Sequence, residues 1–469
     1  MHKISVKFLG AIKEVTGSCH LLTVGPHKIL LDCGLIQGSY KDEIRNSEPL
    51  SFDPASLTAI VLSHAHLDHS GRLPLITKQG FDGRIYAHTA TYDLCRIMLR
   101  DSAKLQQKDA EITNRKRARK GLPPVPPLYD VEDVEAAEPL FFPCEYHQWQ
   151  TINEQIRFRF HDAGHILGSC IVELELQDHG VVRRLIFSGD LGPYQGPILR
   201  DPESGFDADH VIMESTYGDR DHRRFDDTLS ELEAIFNSES SSRGNIIIPA
   251  FAVGRAQELL YLFAKHRQRW HLDRWQIFLD SPMAISATEV YLKHHCLYDA
   301  EARATLGERP AQKLKQLLPN LMFCESPEES MAINRIHHGA IIIAGSGMCT
   351  GGRVKHHLKH LVWRDTTQVV IVGFQAHGTP GRALVDGNHF IRLWGEAIKV
   401  RAKVHTIGGL SAHAGQTDLL RWYQQMPSRP AVTLVHGEEQ AQETLKAKMR
   451  EQFPGLSVRR AVDVELLAL

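Results

Sequence analysis

Residues 63–69 read Ser-His-Ala-His-Leu-Asp-His, and this stretch decides how the rest of the chain is interpreted. The apolar run before it, residues 59–62, predicts a buried strand, so the polar residues begin where a strand ends. Alternate residues leaving a strand point the same way, which would let His64, His66 and Asp68 converge on one point. Imidazole nitrogens and carboxylate oxygens are ligands that Zn²⁺ accepts. The alternative, a surface loop that is rich in histidine by chance, does not explain so tight a spacing.

Composition restricts the classes of protein that the chain can belong to. With 469 residues, it exceeds what one ordinary hydrophobic core holds, so we expect two domains. The net charge of -2 excludes a protein that is basic throughout, so any contact with nucleic acid must use a local patch. No apolar run approaches about 18 residues, and the N-terminus lacks the apolar core of a signal peptide, so we expect no membrane contact.

The eight cysteines form no C-x-x-C pair and have no regular spacing. This pattern indicates free thiols rather than a disulfide framework or a structural zinc site. Reduced thiols are typical of the cytoplasm, and we therefore predict a cytoplasmic protein.

The pattern of elements changes along the chain. Residues 1–35 predict a β-meander, and residues 93–119 predict a long helix that ends in the basic run 115–120. That run either guides nucleic acid electrostatically or is a solvated helix face. From about residue 210, apolar strand cores alternate with helices, as in a parallel α/β sheet. These cores lie at residues 211–213, 245–248, 276–279, 340–343 and 369–372. Short strands at 400–404 and 431–435 follow, with a helix at 416–425.

Three further candidate ligands each follow a predicted strand. His165 comes after the strand that ends at Phe160, Asp190 follows the apolar run 184–187, and His436 follows the run 431–435. A glycine or another small residue flanks each of them, which lets the backbone approach a metal closely. A single histidine after a strand is usually an ordinary loop residue, but three such positions together with residues 63–69 indicate a metal site.

The motif His64-x-His66-x-Asp68-His69, together with Asp32, His165 and Asp190, resembles that of the metallo-β-lactamase superfamily. Three later segments resemble the additional motifs of its β-CASP nucleases: residues 214–218 (Glu-Ser-Thr-Tyr-Gly), 411–413 (Ser-Ala-His) and 435–437 (Val-His-Gly). Residues 248–258 resemble the same group. The resemblance covers almost the whole chain in the same motif order. It extends to the endonuclease subunit of the mRNA 3′-end cleavage machinery and its prokaryotic relatives.

The resemblance implies a fold and a set of metal ligands. The fold would be an αββα metallo-β-lactamase sandwich, formed by residues 1–209 and 395–469. An α/β parallel-sheet β-CASP domain would be inserted at residues 210–394. Two zinc ions would be bound, one by His64, His66 and His165, and the other by Asp68, His69 and His436. Asp190 would bridge the two ions, and Asp32 would orient the site from behind the ligands.

The same resemblance implies a zinc-dependent ribonuclease that hydrolyses phosphodiester bonds with water activated by two metals. Its catalytic residues would be Asp68, Asp190, Glu214 and His413, with His413 as the general acid and Glu214 as its carboxylate partner. Two structural alternatives stay open at this point. In the first alternative, His413 is a helix N-cap residue. In the second, Glu214 is a charged residue on a turn between a strand and a helix.

His436 favours RNA, because the DNA-directed β-CASP members carry valine at that position. We therefore expect a single-stranded RNA substrate and no membrane partner, and a homodimer is possible. The chain ends about 30 residues after His436, where exonucleolytic relatives carry a further domain, so endonuclease action is expected. The alternatives are a 5′ exoribonuclease, a metallohydrolase of thioesters or lactones, and a catalytically silent RNA-binding subunit.

Two glycine-containing loops are predicted to hold RNA phosphates with backbone amides and side chains. The first, residues 345–353, fails as a dinucleotide-binding G-x-G-x-x-G motif because Thr350 occupies the sixth position. The second, residues 373–382, contains His377, where many relatives have an acidic residue, so its role stays open. The alternative is that both loops are tight turns that hold the second domain together. The predicted RNA-binding residues are Arg255, Ser346, Gly347, Thr350, Gly351, Arg353, Gln375, Thr379 and Arg382.

Overall fold

The structure is a computed structural model, and it describes residues 4–178, 180–239, 243–462 and 466–468. The chain divides into two compact units. The first unit comprises Met1–Tyr194, Asp201–Asp221 and His413–Leu469, and the second comprises Gln195–Arg200 and His222–Ala412. The first unit is therefore assembled from three separate segments of the chain.

Two seven-stranded sheets form the centre of the first unit. The first sheet contains, in spatial order, β22 (Leu466–Ala468), β1 (Ser5–Phe8), β2 (His20–Val24), β3 (His27–Leu31), β4 (Ala59–Val61), β5 (Arg84–His88) and β6 (Phe141–Cys144). The second sheet contains, in spatial order, β21 (Val458–Arg460), β20 (Ala431–Leu434), β11 (His210–Met213), β10 (Val181–Phe187), β9 (Cys170–Asp178), β8 (Ile156–Asp162) and β7 (Gln150–Asn153). The antiparallel arrangement of β1, β2 and β3 confirms the predicted meander.

The hydrophobic core of the first unit lies between these two sheets. Leu22 and Val61 of the first sheet and Phe158 and Leu174 of the second belong to one buried cluster. Each of these side chains is fully buried. Alternate strand residues face opposite sides of a sheet, so each sheet contributes one face to this core and offers the other to helices.

Helices cover the outer faces of the two sheets. The helices of the first unit are α1 (Tyr40–Glu43), α2 (Leu67–Ser70), α3 (Leu73–Lys78), α4 (Thr89–Ala118), α5 (Val131–Ala137), α14 (Gln416–Gln424) and α15 (Glu439–Gln452). Helix α4 contacts β5 and β6. Trp422 of α14 and Leu445 of α15 pack with Val211 of the second sheet. This arrangement confirms the predicted αββα sandwich.

The long helix α4 begins at Thr89, four residues earlier than predicted, and ends at Ala118. Its buried residues recur every three or four positions between Ala90 and Ala103, which is the spacing of one helix face. Beyond Ala103 no residue of the helix is buried, and the basic run 115–120 is almost entirely exposed. This exposure agrees with the interpretation of the run as a solvated helix face.

A six-stranded parallel sheet forms the centre of the second unit. Its strands are, in spatial order, β14 (Leu321–Phe323), β13 (Gln276–Asp280), β15 (Ala340–Ala344), β12 (Ile246–Pro249), β16 (Gln368–Ile371) and β19 (Lys403–Thr406). A separate hairpin joins β17 (Phe390–Leu393) to β18 (Glu396–Lys399). Strands β12, β15 and β16 are buried along their whole length, which explains their continuous apolar sequences.

The described helices of the second unit are α6 (Phe225–Asn237), α7 (Arg255–His266), α8 (Pro282–Lys293), α9 (Ala300–Leu306), α10 (Pro310–Leu317), α11 (Pro327–Ile333), α12 (Val354–Leu361) and α13 (Pro380–Val385). Within the residues that the structure describes, no helix has the length and apolar character needed to cross a membrane.

Two strands belong to different sheets from those predicted. The run 211–213 lies in β11, which pairs parallel with β10 and β20 in the first unit rather than in the second. Its apolar sequence did not distinguish between the two sheets, because a central strand that is buried on both faces is apolar throughout in either of them. Conversely, β19 joins the sheet of the second unit. The second compact unit accordingly spans His222–Ala412, whereas the predicted domain boundaries are 210 and 394.

Candidate metal centre

The stretch 63–69 changes conformation half-way along. After β4 the chain is irregular through His66, and then Leu67–Ser70 form the single helical turn α2. The expectation that His64, His66 and Asp68 converge on one point is therefore wrong, because strand alternation ends where the helical turn begins. His64 and His66 belong to one group of possible ligands, and Asp68 belongs to another.

The first ligand group consists of His64, His66, His165 and Asp190. His66 Nδ1 lies 3.1 Å from His64 Nε2 and 3.1 Å from His165 Nε2. Asp190 Oδ2 lies 3.5 Å from His64 Nε2 and 3.7 Å from His165 Nε2. Ligand atoms at such separations could share one zinc ion, whose usual ligand distances are about 2 Å.

The second ligand group consists of Asp68, His69 and His436. His69 Nε2 lies 3.2 Å from His436 Nε2, and Asp68 Oδ2 lies 3.5 Å from the same atom of His436. Asp190 Oδ2 also lies 3.2 Å from His69 Nε2. One carboxylate oxygen of Asp190 therefore faces both ligand groups, which is the placement of a bridging ligand.

The chemistry of these residues fits bound cations. Asp190 is buried, and neither of its carboxylate oxygens has a hydrogen-bond partner among the described residues. A buried carboxylate without donors is costly, and a cation on each side of it would remove that cost. Burial also lowers the pKa of His66 to about 4 and that of His64 well below its usual value, so both rings are neutral and have a lone pair for a metal.

Asp32 holds His69 from the side away from the second ligand group. Its Oδ2 accepts a hydrogen bond from His69 Nδ1 at 2.6 Å, which leaves Nε2 to face Asp68 and His436. Ser18 Oγ and Ser63 Oγ donate to the same oxygen, at 3.1 and 2.9 Å. A carboxylate behind a metal-binding histidine fixes its tautomer and orientation. The orienting role of Asp32 towards a bound metal stays a prediction, which this hydrogen bond supports.

His413 and Glu214 lie beside the first ligand group. His413 Nδ1 is 3.3 Å from Glu214 Oε1 and 3.9 Å from Asp190 Oδ2. Burial lowers the pKa of His413, but the charges of Glu214 and Asp190 outweigh it and raise that pKa to about 9. His413 is therefore protonated near neutral pH, as a proton donor must be.

The structural alternatives for these two residues do not match what is observed. Helix α14 begins at Gln416 with Gly415 as its N-cap residue, so His413 does not cap it. Glu214 is fully buried and accepts hydrogen bonds from the backbone N–H groups of Leu191 and Thr216. These bonds direct its carboxylate towards His413 rather than towards solvent.

Three family models match successive parts of the chain. A metallo-beta-lactamase superfamily domain matches residues 21–184. A Beta-Casp domain matches residues 256–384. A Zn-dependent metallo-hydrolase RNA specificity domain matches residues 397–461.

Similarity to curated proteins extends over nearly the whole chain. Ribonuclease TTHA0252 of Thermus thermophilus is 40% identical over 433 residues, which is 92% of this chain and 92% of that protein. The chain belongs to the β-CASP group of the metallo-β-lactamase superfamily. The RNase J-like protein of Methanocaldococcus jannaschii is 29% identical and covers 93% of each chain. A transcription termination factor FttA of Methanosarcina mazei is 30% identical over 93% of this chain and 67% of that protein.

One solved structure shows the same fold at low sequence identity. It is a protein of unknown function from Enterococcus faecalis V583, 14% identical, with a TM-score of 0.56 and full coverage of both chains. At that identity the likeness concerns the fold alone.

The predicted RNA-binding side chains of the β-CASP domain are engaged in contacts within the domain. Arg353 pairs with Asp280 Oδ1 at 2.7 Å and donates to the carbonyls of Cys324 and Glu325. Arg255 is buried and pairs with Glu258. The carboxylate supplies the opposite charge that a buried cation needs. These contacts are those expected of residues that hold the domain together. The role of both arginines in RNA binding stays a prediction.

The two glycine-containing loops are also internally bonded. Ser346 Oγ accepts hydrogen bonds from the backbone N–H groups of Thr350 and Gly351, both at 3.1 Å. Buried Gln375 Nε2 donates to the Gly347 carbonyl at 2.9 Å. The remaining two predicted residues, Thr379 and Arg382, lie at the start of α13, where Thr379 caps the helix and Arg382 bonds Asp386.

Sequence reasoning missed three hydroxyl groups that position the centre. Ser18 and Ser63 bond Asp32, and Thr216 Oγ1 lies 3.1 Å from His436 Nδ1. Ser63 and Thr216 stand inside two of the quoted motifs, so their place next to a ligand was an available signal. Ser18 carried no such signal, because it lies outside the quoted motifs, in the loop before β2.

Proposed function

We propose that the chain is a zinc-dependent ribonuclease that hydrolyses internal phosphodiester bonds of single-stranded RNA. The observation that carries this proposal is Asp190 Oδ2, which faces both ligand groups while the protonated pair of His413 and Glu214 lies beside it. A site that only binds RNA has no need of a proton donor next to two potential cation positions.

Each residue has a separate task in the proposed reaction. His64, His66 and His165 would hold one zinc ion, Asp68, His69 and His436 would hold the other, and Asp190 would contact both. When bound, the two ions supply the Lewis acidity that activates water and neutralises charge on the phosphate.

The chain itself supplies the proton that the leaving oxygen requires. Glu214 accepts from His413 Nδ1, so the ring presents its other nitrogen, Nε2, as the proton donor. The carboxylate stabilises the imidazolium and orients the ring, and the proton moves from Nε2 to the departing ribose oxygen as the P–O bond breaks.

Three observations support RNA as the substrate. Residues 397–461 match an RNA specificity domain, and they contain both His413 and His436. A relative at 40% identity is named a ribonuclease. His436 stands where RNA-directed members of the group have histidine. The proposal places the protein in the cytoplasm, where its eight free cysteines would stay reduced. A homodimer stays a prediction.

The substitution Asp190→Ala tests this proposal. We expect it to lower RNA cleavage at least about 100-fold, because both ligand groups lose their common carboxylate. The assay uses internally labelled and 5′-labelled single-stranded RNA and follows product lengths over time. Early products of intermediate length indicate internal cleavage, whereas immediate release of mononucleotides from the labelled end would indicate a 5′ exonuclease.

Two controls make the result decisive. Asp207→Ala removes an exposed carboxylate of the first unit that pairs with Arg184, and it should retain wild-type cleavage. Circular dichroism and the melting temperature show whether each variant is folded. Cleavage that persists in metal-depleted Asp190→Ala protein would overturn the mechanism. Turnover of a thioester or lactone in preference to RNA would overturn the substrate.

A further inference from the structure

A second cluster of metal-ligating side chains lies in the first unit, apart from the candidate metal centre. It consists of His147, His161 and Glu203, whose ligand atoms lie within 4.8 Å of one another. His147 Nε2 is 2.9 Å from each carboxylate oxygen of Glu203, and His161 Nδ1 is 3.3 Å from Glu203 Oε2. These separations are close to the 3.1–3.2 Å between histidine nitrogens of the candidate metal centre. We call this set the His–Glu cluster.

A further carboxylate orients His161 within the cluster. His161 Nε2 donates to Glu173 Oε2 at 2.8 Å, so Nδ1 is the nitrogen directed at Glu203. Glu173 is itself held by Arg159 at 2.7 Å. Metal-binding histidines almost always donate their other ring N–H to a carboxylate or carbonyl in this way. The same arrangement joins Asp32 to His69 in the candidate metal centre.

Hydrogen bonds to neighbouring residues also fix the position of Glu203. The backbone N–H of Asp162 donates to Glu203 Oε1 at 3.1 Å, and the Glu203 N–H donates to the Asp162 carbonyl. Trp422 Nε1 donates to the Glu203 carbonyl at 2.7 Å. The carboxylate is therefore fixed by the surrounding fold, as a preformed ligand is.

The exposed side of the cluster has room for water. The side chain of His147 is 57% exposed and that of Glu203 is 36% exposed, whereas His161 is nearly buried. His147 adopts a left-handed backbone conformation with φ 63, and its N–H donates to the Phe160 carbonyl. Two histidines, one carboxylate and water form a normal ligand set for zinc.

We propose that His147, His161 and Glu203 bind a third divalent cation of the Zn²⁺ class, with water completing its coordination. The cation is structural, because its ligands hold the segment that carries a ligand of the candidate metal centre. Asp162 follows His161 directly and bonds Glu203, and its Oδ1 accepts from the Gly164 N–H at 3.0 Å. His165 is the next residue, so the cation would brace the turn that places His165 Nε2 beside His66.

Counting bound zinc in matched variants of the full chain tests this inference. The untagged protein is equilibrated with Zn²⁺, gel-filtered, and analysed for zinc per chain by mass spectrometry. We expect His147→Ala and Glu203→Gln each to contain one zinc ion fewer than the wild type. His337→Ala, which removes an exposed histidine outside the cluster, should contain the wild-type amount. The difference in zinc content between the variants and the wild type reports on the His–Glu cluster, because the candidate metal centre is the same in all of them.

A substitution behind the ligands provides a second measurement. Glu173→Gln keeps a hydrogen-bonding group near His161 Nε2 but removes the charge, so it should weaken the affinity for one zinc ion about 10- to 100-fold. Competition with a chromophoric chelator measures this affinity without reference to activity. Added Zn²⁺ should also raise the melting temperature of the wild type more than that of His147→Ala. Equal zinc content in the wild type, His147→Ala and Glu203→Gln would overturn the proposal and leave a hydrogen-bonded network without metal.

Discussion

The protonation state of Asp190 depends on the residues around it. It follows β10, is buried, and has its Oδ2 within 3.2–3.7 Å of a nitrogen from His64, His69 and His165. Burial would raise the pKa of Asp190, but the charges of His436, His69 and His413 hold it well below its usual value. The carboxylate is thus ionised at any pH at which the protein would work, which a shared cation ligand requires.

Glu214 determines the proton affinity of His413, and Glu214→Gln tests this at the residue scale. The raised pKa of His413, about 9, means that the ring holds its proton below pH 9 and loses it above. Without the Glu214 charge that pKa falls, so the high-pH limb of the profile of kcat/KM should move down by about 1 unit or more.

The pH profile separates a role in proton donation from a merely structural role. Glu439→Gln, an exposed carboxylate bonded to Arg460, should leave both limbs of the profile in place. A Glu214→Gln enzyme with an unshifted high-pH limb would contradict the assignment of His413 as the general acid.

At the scale of elements, the candidate centre depends on how closely the loops after the strands approach one another. Gly34 follows β3, and an added Cβ would lie 1.6 Å from the backbone oxygen of Asp68 in α2. Gly437, next to His436, would meet Ser215 Oγ at 2.5 Å. The sequence predicted that small residues let the backbone approach a metal. The structure shows that Gly34 and Gly437 let one loop approach another, which brings distant ligands together.

The substitution Gly34→Ala tests this close approach. A methyl group at this position must displace the backbone of α2, so we expect a loss of stability of at least about 2 kcal/mol and weaker zinc retention. The melting temperature and the zinc content measure both effects. Gly351→Ala is the matched control for stability, since no atom lies within 4 Å of its added Cβ. A Gly34→Ala protein as stable as the Gly351→Ala protein would show that α2 can move without cost.

At the scale of the whole molecule, the first unit is assembled from three chain segments around the two sheets. His69 and His436 lie 367 residues apart in the sequence but 3.2 Å apart at their Nε2 atoms. Strands β11 and β20, which pair directly, come from different segments and precede Glu214 and His436. The candidate centre therefore forms only when all three segments have folded together.

The same pairing makes the first unit sensitive to acid. His210 on β11 is buried, its Nε2 lies 2.9 Å from Thr433 Oγ1 on β20, and burial lowers its pKa to about 4. Because the unfolded chain takes up this proton near pH 6.5, stability is lost as the pH falls from 6.5 to 4, by up to about 3 kcal/mol.

We expect His210→Gln to be less stable than the wild type at neutral pH but to lose less stability between pH 6.5 and 4.5. Glutamine can still bond Thr433 but does not titrate. Melting temperatures of metal-depleted proteins at both pH values measure the difference. His338→Gln changes an exposed histidine and should follow the wild type. Equal acid sensitivity in all three proteins would show that His210 does not contribute.

The residue types of the candidate centre could be predicted from the sequence alone. The identity and order of the histidines, aspartates and glutamate, and their positions after apolar strands, were readable because ligand type and strand burial are local properties. The resemblance of those motifs also predicted the αββα sandwich and the family, and both are confirmed.

How those residues are held in place depends instead on the tertiary structure. The fold assigned β11 and β19 to their sheets and paired Arg255 and Arg353 with carboxylates. It also brought His147, His161 and Glu203 together from three places in the chain. The physical reason is that these outcomes depend on hydrogen bonds and ion pairs between residues far apart in sequence, which no local pattern of polarity records.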